Sequence, residues 1–216
     1  MPRASKPPKP PIAPRKQPRQ ARSTQMVADI LQAALRVLAR EGAARFTTVR
    51  VAEQAGVSVG SLYQYFPNKE ALLYRLQTDE WQSTGAMLEG LLADAAKPPL
   101  ERLRHAVRAF FRSECDEAEL RVALGDAASL YRHADEVRAG RTRAQRRIVA
   151  FMKEALPGVS ARRRAIAAEL VMTTMGSVGK SVSENPRTRA AVDTWAGAVS
   201  DMFEAYLTSL AAGATR

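Results

Sequence analysis

From Ser23 onward the apolar residues fall at steps of three and four. Val27, Ile30, Leu31, Ala34, Leu35 and Leu38 make one stripe, which predicts a helix ending at Gly42. A short helix is expected after Thr47, another after Ser58, and a long one after Asn68, which is a good N-cap with Pro67 before it. Pro98 and Pro99 break the chain. Leu100, Leu103, Val107, Phe110 and Phe111 then mark an amphipathic helix. Pro157-Gly158 and Asn185-Pro186 are further breaks, with helices of about residues 135–156 and 160–183 between them. Val192, Trp195, Val199, Met202, Phe203, Tyr206 and Leu210 keep helical spacing to the end of the chain. With no strand run and no repeat, the expected fold class is all-α, with about nine helices.

Before Ser23 the pattern is different. Residues 1–18 hold seven prolines and almost nothing apolar, so residues 1–21 read as a disordered, partly polyproline-II arm. Charge is concentrated there. Residues 1–22 carry seven basic side chains and no acidic one; residues 23–80 carry six of each; the remainder carries twenty basic and sixteen acidic, for a net charge of +11. An arm of this kind favours polyanions, either nucleic acid or an anionic membrane surface. No apolar stretch is long enough for a membrane span, and no h-region follows the basic start. The single cysteine, Cys115, fits a reducing cytoplasm, and Asp116 and Glu117 beside it would raise its pKa and so disfavour a redox role. Two separated histidines, His105 and His133, lack metal-site spacing. No nucleophile–base pair or phosphate loop is visible, so neither an enzyme nor a cofactor is expected. The arginines at 143, 146 and 147 and at 162–164 read as solvated faces.

The chemistry lies in Phe46–Lys69, FTTVRVAEQAGVSVGSLYQYFPNK. Thr47 caps one short helix and Ser58 the next. Val51, Ala52, Ala55 and Leu62 face inward, and Gly56 supplies a turn that needs positive φ. Two short helices crossing at a glycine turn make a helix-turn-helix. The second helix then exposes Val59, Gly60 and Ser61 at its start. Gly60 lets backbone approach base edges, Ser61 donates or accepts, and Val59 suits a thymine methyl. Tyr63, Gln64 and Tyr65 suit phosphate oxygens, and Lys69 adds charge at the next helix N-terminus.

On Phe46-Thr47-Thr48-Val49, Ala52–Ser58 and Gly60–Glu70 the chain resembles TetR-family regulators, over about Arg22–Trp81. The resemblance implies a domain order of the arm, a three-helix DNA-binding domain over 22–68, and a larger C-terminal ligand-binding and dimerisation domain over 69–216. It also implies an Ω-shaped homodimer on a palindromic operator, released by a small-molecule effector whose identity the sequence does not reveal. Arg22, Thr47, Thr48, Ser58, Val59, Gly60, Ser61, Tyr63, Gln64, Tyr65 and Lys69 are the expected DNA contacts, with Val59–Ser61 at bases and Thr47, Thr48, Tyr63, Tyr65 and Lys69 at phosphates. Val59 stands where many relatives have a lysine or another long polar residue, which shifts weight toward indirect readout. The last two helices are the expected dimer surface, through Ile166, Leu170, Val192, Trp195, Val199, Met202, Phe203 and Tyr206. Trp81, Met87, His105, Phe110, Phe111, Tyr131, Met152, Met172 and Met175 are candidate pocket liners, being adaptable apolar types that also build ordinary cores. A nonspecific or architectural DNA-binding protein that relies on its arm is the alternative.

Overall fold

The computed structural model describes residues 21–118, 135–185 and 188–214. The arm of residues 1–20, Tyr131, His133 and Pro186 lie outside the described residues. Eight helices are present among the described residues and no strand: α1 (Ala21–Arg45), α2 (Thr48–Ala55), α3 (Val59–Tyr65), α4 (Lys69–Ala93), α5 (Pro99–Asp116), α6 (Asp135–Ala155), α7 (Ala161–Ser183) and α8 (Arg189–Ala212).

The ends of these helices follow from local chemistry. Side-chain oxygens of Thr47, Ser58, Asn68, Ser160 and Thr188 each accept the amide three residues on. That satisfies one of the donors a helix start leaves unpaired. Pro99 opens α5, where its missing N–H costs nothing. Gly42 sits at φ 71°, ψ 173°, a conformation closed to other residues, and breaks the helical backbone of α1 near its end.

The described residues fall into two compact units. The first runs to Asp79 and so takes in the start of α4; the second comprises residues 80–118 and those from Asp135 onward. In the first, α1 packs on α2 and α2 on α3. Its core holds Val27, Ile30, Ala34, Val37 and Leu38 of α1 with Phe46, Val51, Ala52, Leu62 and Phe66. Ala71, Leu72, Leu73, Tyr74 and Leu76 of α4 are also buried, which is why the unit runs past the expected boundary at 68.

In the second unit α5 is the central element, packing on α6, α7 and α8. Leu103, Val107 and Phe111 of α5 meet Ile148, Phe151 and Met152 of α6, Ala167, Ala168 and Val171 of α7, and Val192, Ala196, Val199, Phe203 and Leu207 of α8. Gly179 of α7 permits the close approach of α5: a Cβ there would lie 2.8 Å from Cε1 of Phe110. Arg102, 3% exposed, donates to the Leu92 carbonyl (2.7 Å), pairs with Glu154 and lies 5.6 Å from the Phe151 ring centroid. This single guanidinium ties together the end of α4, the start of α5 and α6. At the surface, Arg104 bonds Asp201 and Glu204, and Arg112 grips Asp193 with two bonds of 2.8 Å. Hydrogen bonding from Arg112 holds the Asp193 carboxyl below the usual carboxylate range. Exposed ion pairs of this kind add little. Each large apolar side chain buried contributes roughly 1.5–3 kcal/mol, so the apolar core carries the unit.

Candidate nucleic-acid interface

α2 and α3 form a helix-turn-helix around Gly56. Gly56 closes α2 in the left-handed region (φ 66°, ψ 29°), and its N–H turns back to Glu53 while that of Val57 turns back to the Ala52 carbonyl (3.0 Å). This is a Schellman-type closure, in which the reversal satisfies carbonyls that the helix end would strand. A Cβ on Gly56 would meet nothing within 4 Å, so φ alone demands glycine. Gly56→Val should therefore destabilise the turn by about 2 kcal/mol through backbone strain without a steric clash, with Gly56→Asn clearly milder. Urea melts of the two variants check this, and equal losses would point to packing instead.

After the turn, Ser58 accepts the Ser61 amide (3.0 Å), and its hydroxyl also bonds that of Ser61 (2.9 Å). Val59 and Ser61 are half-buried and Gly60 is exposed, while Leu62 is fully buried and fixes the roll of α3. Tyr63 and Gln64 lie on the open side with Thr47 and Lys69, and Arg22 is exposed on α1. The open face of α3 thus presents backbone, one hydroxyl, an amide and a phenol, which can hydrogen-bond base edges and phosphates.

Two of the expected contacts are corrected. Tyr65 is 5% exposed and Thr48 is 8% exposed. Tyr65 falls one turn on from the inward-facing Leu62 and shares its face, so it packs as core instead of extending the open surface. Thr48 turns inward beneath α3 and hydrogen-bonds the Tyr63 hydroxyl (3.1 Å). One residue outside the expected contacts is also open. Val49 is 46% exposed in the first turn of α2, as an apolar group suited to a sugar or a thymine methyl. The signal was present in the sequence: with Val51, Ala52 and Ala55 inward, helical geometry turns Val49 outward.

The expected dimer surface divides in two. Ile166, Leu170, Trp195 and Met202 are 53%, 45%, 43% and 48% exposed, an apolar strip on the outer face of α7 and α8. Val192, Val199 and Phe203 are buried in their own unit's core, and Tyr206 packs against that core. Val192, Val199 and Phe203 are thereby corrected to intramolecular packing, while Tyr206 is half-buried. The apolar stripe of α8 is wider than one face, so one side fills the core and the other remains open.

Five of the expected pocket liners gather on one core instead of around a cavity: Phe111 and Met152 lie within it, and Phe110, Met172 and Met175 pack against it. Phe111 and Met152 are fully buried in the close-packed core, and Trp81 is exposed. Phe110 abuts Gly179, Met175 packs on the core, and His105 is half-buried on α5. Two open concavities lie elsewhere in the unit. One, of about 380 Å³, lies between α4 and α5, where Met87 is accompanied by Ser83, Thr84, Arg112, Ser113 and Asp116. The other, of about 710 Å³, lies between α6 and α7 and borders Met172, with Gln145, Arg146 and Glu169 beside it. Both are open and mix polar with apolar lining, Phe111 and Met152 being taken up by the core. Among the described residues no cluster of three metal-ligating side chains occurs, and no helix is long and apolar enough to cross a membrane.

Comparison with known proteins agrees with this geometry. Residues 30–76 match the model of the bacterial regulatory proteins of the tetR family, and residues 98–210 match that of the tetracyclin repressor-like C-terminal domain. The nucleoid occlusion factor SlmA of Vibrio campbellii is 36% identical over 103 residues, 46% of this chain and 51% of that protein. The HTH-type transcriptional regulator YerO of Bacillus subtilis is 33% identical over 98 residues, 44% of this chain and 33% of that protein. The chain thus spans about half, or less, of the length of these curated relatives. Among solved structures, a TetR transcriptional regulator of Streptomyces coelicolor is 28% identical, with TM-score 0.56 and coverage of 82% of this chain and 97% of that one. The fatty acid degradation regulator FadR of Bacillus halodurans is 17% identical, with TM-score 0.63 and coverage of 87% and 96%.

Proposed function

The chain belongs to the TetR family of DNA-binding transcriptional regulators, and from that premise we propose that it is a homodimeric repressor, released from a palindromic operator by a small-molecule effector. The observation that carries the reading is the pairing of two open surfaces. One is the start of α3, where Gly60 is exposed and Val59 and Ser61 are half-buried; the other is the apolar strip of Ile166, Leu170, Trp195 and Met202. A monomer gains nothing from leaving such a strip in water, whereas two copies of α7 and α8 bury it as a four-helix bundle. Two α3 helices in a dimer read half-sites about 34–36 Å apart. Val49 joins the open face of α3 at this interface, and Lys69 supplies charge toward phosphate. The effector acts on the second unit, and it shifts operator occupancy only by its differential affinity for the bound and released states. The groove between α4 and α5 is the candidate site, and its hydroxyls and charges suit a polar ligand.

Footprinting of the purified chain on the region upstream of its own gene tests this reading. Protection of a palindrome with half-sites one turn apart supports it, and uniform coating without a protected palindrome removes it. The basic arm separates the alternative. Deleting residues 1–18 should weaken binding and lower the slope of log K against log salt by about 0.9 for each phosphate that is no longer neutralised, while sequence preference survives. Loss of all affinity, with no preference before deletion, would instead make the chain an arm-driven architectural binder.

A further inference from the structure

The hydrogen bond between Thr48 and Tyr63 supports an inference that rests on the DNA-binding reading above. We propose that Thr48 is a positioning residue for Tyr63: its hydroxyl donates to the phenol oxygen, so that the phenol proton is left pointing outward for a phosphate oxygen. Thr48 stands in the first turn of α2 and is 8% exposed; Tyr63 stands on α3 and is 39% exposed. Their hydroxyl oxygens are 3.1 Å apart, and either could be the donor.

The chemistry of the partner decides the direction. Each hydroxyl has one proton and two lone pairs. A phosphodiester offers acceptors only, so Tyr63 must donate to it. Having given its proton outward, the phenol can only accept from Thr48, and Thr48 must therefore be the donor. The neighbouring Thr47 serves instead as the N-cap of α2, its oxygen accepting the Arg50 amide. A chain of two hydroxyls ending on an anion also polarises each bond in it, strengthening the outer one. The bond spans two helices, so it fixes the phenol relative to the start of α2 as well as to its own helix. The same hydroxyl that burial takes away from direct contact with DNA thereby acts on DNA through Tyr63.

A double-mutant cycle in operator binding tests this, using the duplex of about 30 base pairs most enriched from a random pool by the unsubstituted chain. Tyr63→Phe is expected to weaken binding about 10-fold, the scale of one hydrogen bond to a charged acceptor. Thr48→Val, which keeps shape and removes the proton, is expected to cost about 3- to 10-fold alone and less than about 2-fold in the Tyr63→Phe background. Thr48→Ser, which restores the donor, is expected to bind within about 2-fold of the unsubstituted chain. Melting of all three variants should stay within a few degrees. The proposal is overturned if Thr48→Val costs the same factor in both backgrounds, which would make Thr48 act on DNA or on the fold by itself. It is equally overturned if Thr48→Val alone costs nothing. Failure of the unsubstituted chain to enrich any duplex would sink the DNA-binding reading first, before any substitution is made.

Discussion

Leu170→Glu should turn the proposed dimer into a monomer that keeps its fold and loses most of its DNA affinity. Four of the nine large apolar side chains left exposed among the described residues lie on α7 and α8: Ile166, Leu170, Trp195 and Met202. In a twofold interface a substituted residue enters twice, so one change places two carboxylates in a surface that must dry to close. Burying an unpaired charge costs several kcal/mol even after relaxation. The dimer dissociation constant should therefore rise by at least about 100-fold, 1.4 kcal/mol being a factor of ten. Operator affinity should fall on a similar scale, because the second half-site then binds as a separate molecule instead of at high effective concentration. Leu170 is 45% exposed in the single chain, so the melting of the isolated monomer should hardly change. Sedimentation velocity reads the assembly and a gel-shift titration reads the affinity. A variant that still sediments as a dimer would place the interface elsewhere.

Phe46→Ala should dismantle the DNA-binding unit and leave the second unit folded. Phe46 is fully buried between α1 and α2, in the two-residue link before the first turn of α2. Truncating a buried phenylalanine costs about 3–5 kcal/mol, the transfer loss plus the cavity left behind. A unit of roughly 60 residues has a total stability of only about 3–9 kcal/mol at ordinary values per residue. The loss thus takes most of what holds α1–α3 together. The second unit has its own core around Phe111, Phe151 and Phe203. Amide exchange should accelerate about 100-fold or more through α2 and α3, remain slow in α5 and α8, and be accompanied by loss of DNA binding. Unchanged exchange in α2 and α3 would mean that the site had collapsed around the missing ring.

Much of the first unit was legible in the sequence because its signals are local. A cap acts on the amide three residues away, a glycine answers to its own φ, and a short helix has one apolar face. Thr47, Gly56 and Ser58 therefore stand where the sequence placed them, at the ends of α2 and the start of α3. Exposure of single side chains was less legible. Thr48 and Tyr65 read as polar groups for phosphate, yet each lies on the inner side of its helix, where packing and a hydrogen bond claim it. The pocket was hardest to read, since methionine and aromatic residues serve a core and a cavity equally well. Phe111 and Met152 went to the core, and the groove between α4 and α5 mixes Met87 and Ala109 with hydroxyls and charges.

The residues alone determined an all-helical chain, the ends of its helices, and a turn that only glycine could make, since each depends on neighbours a few positions away. Tertiary packing alone decided which side of α8 is inside. That helix carries one broad apolar stripe, with Val199 and Phe203 on one side of it and Trp195 and Met202 on the other. Periodicity distinguishes the two sides but cannot rank them; the ranking comes from α5, which covers one and leaves the other bare.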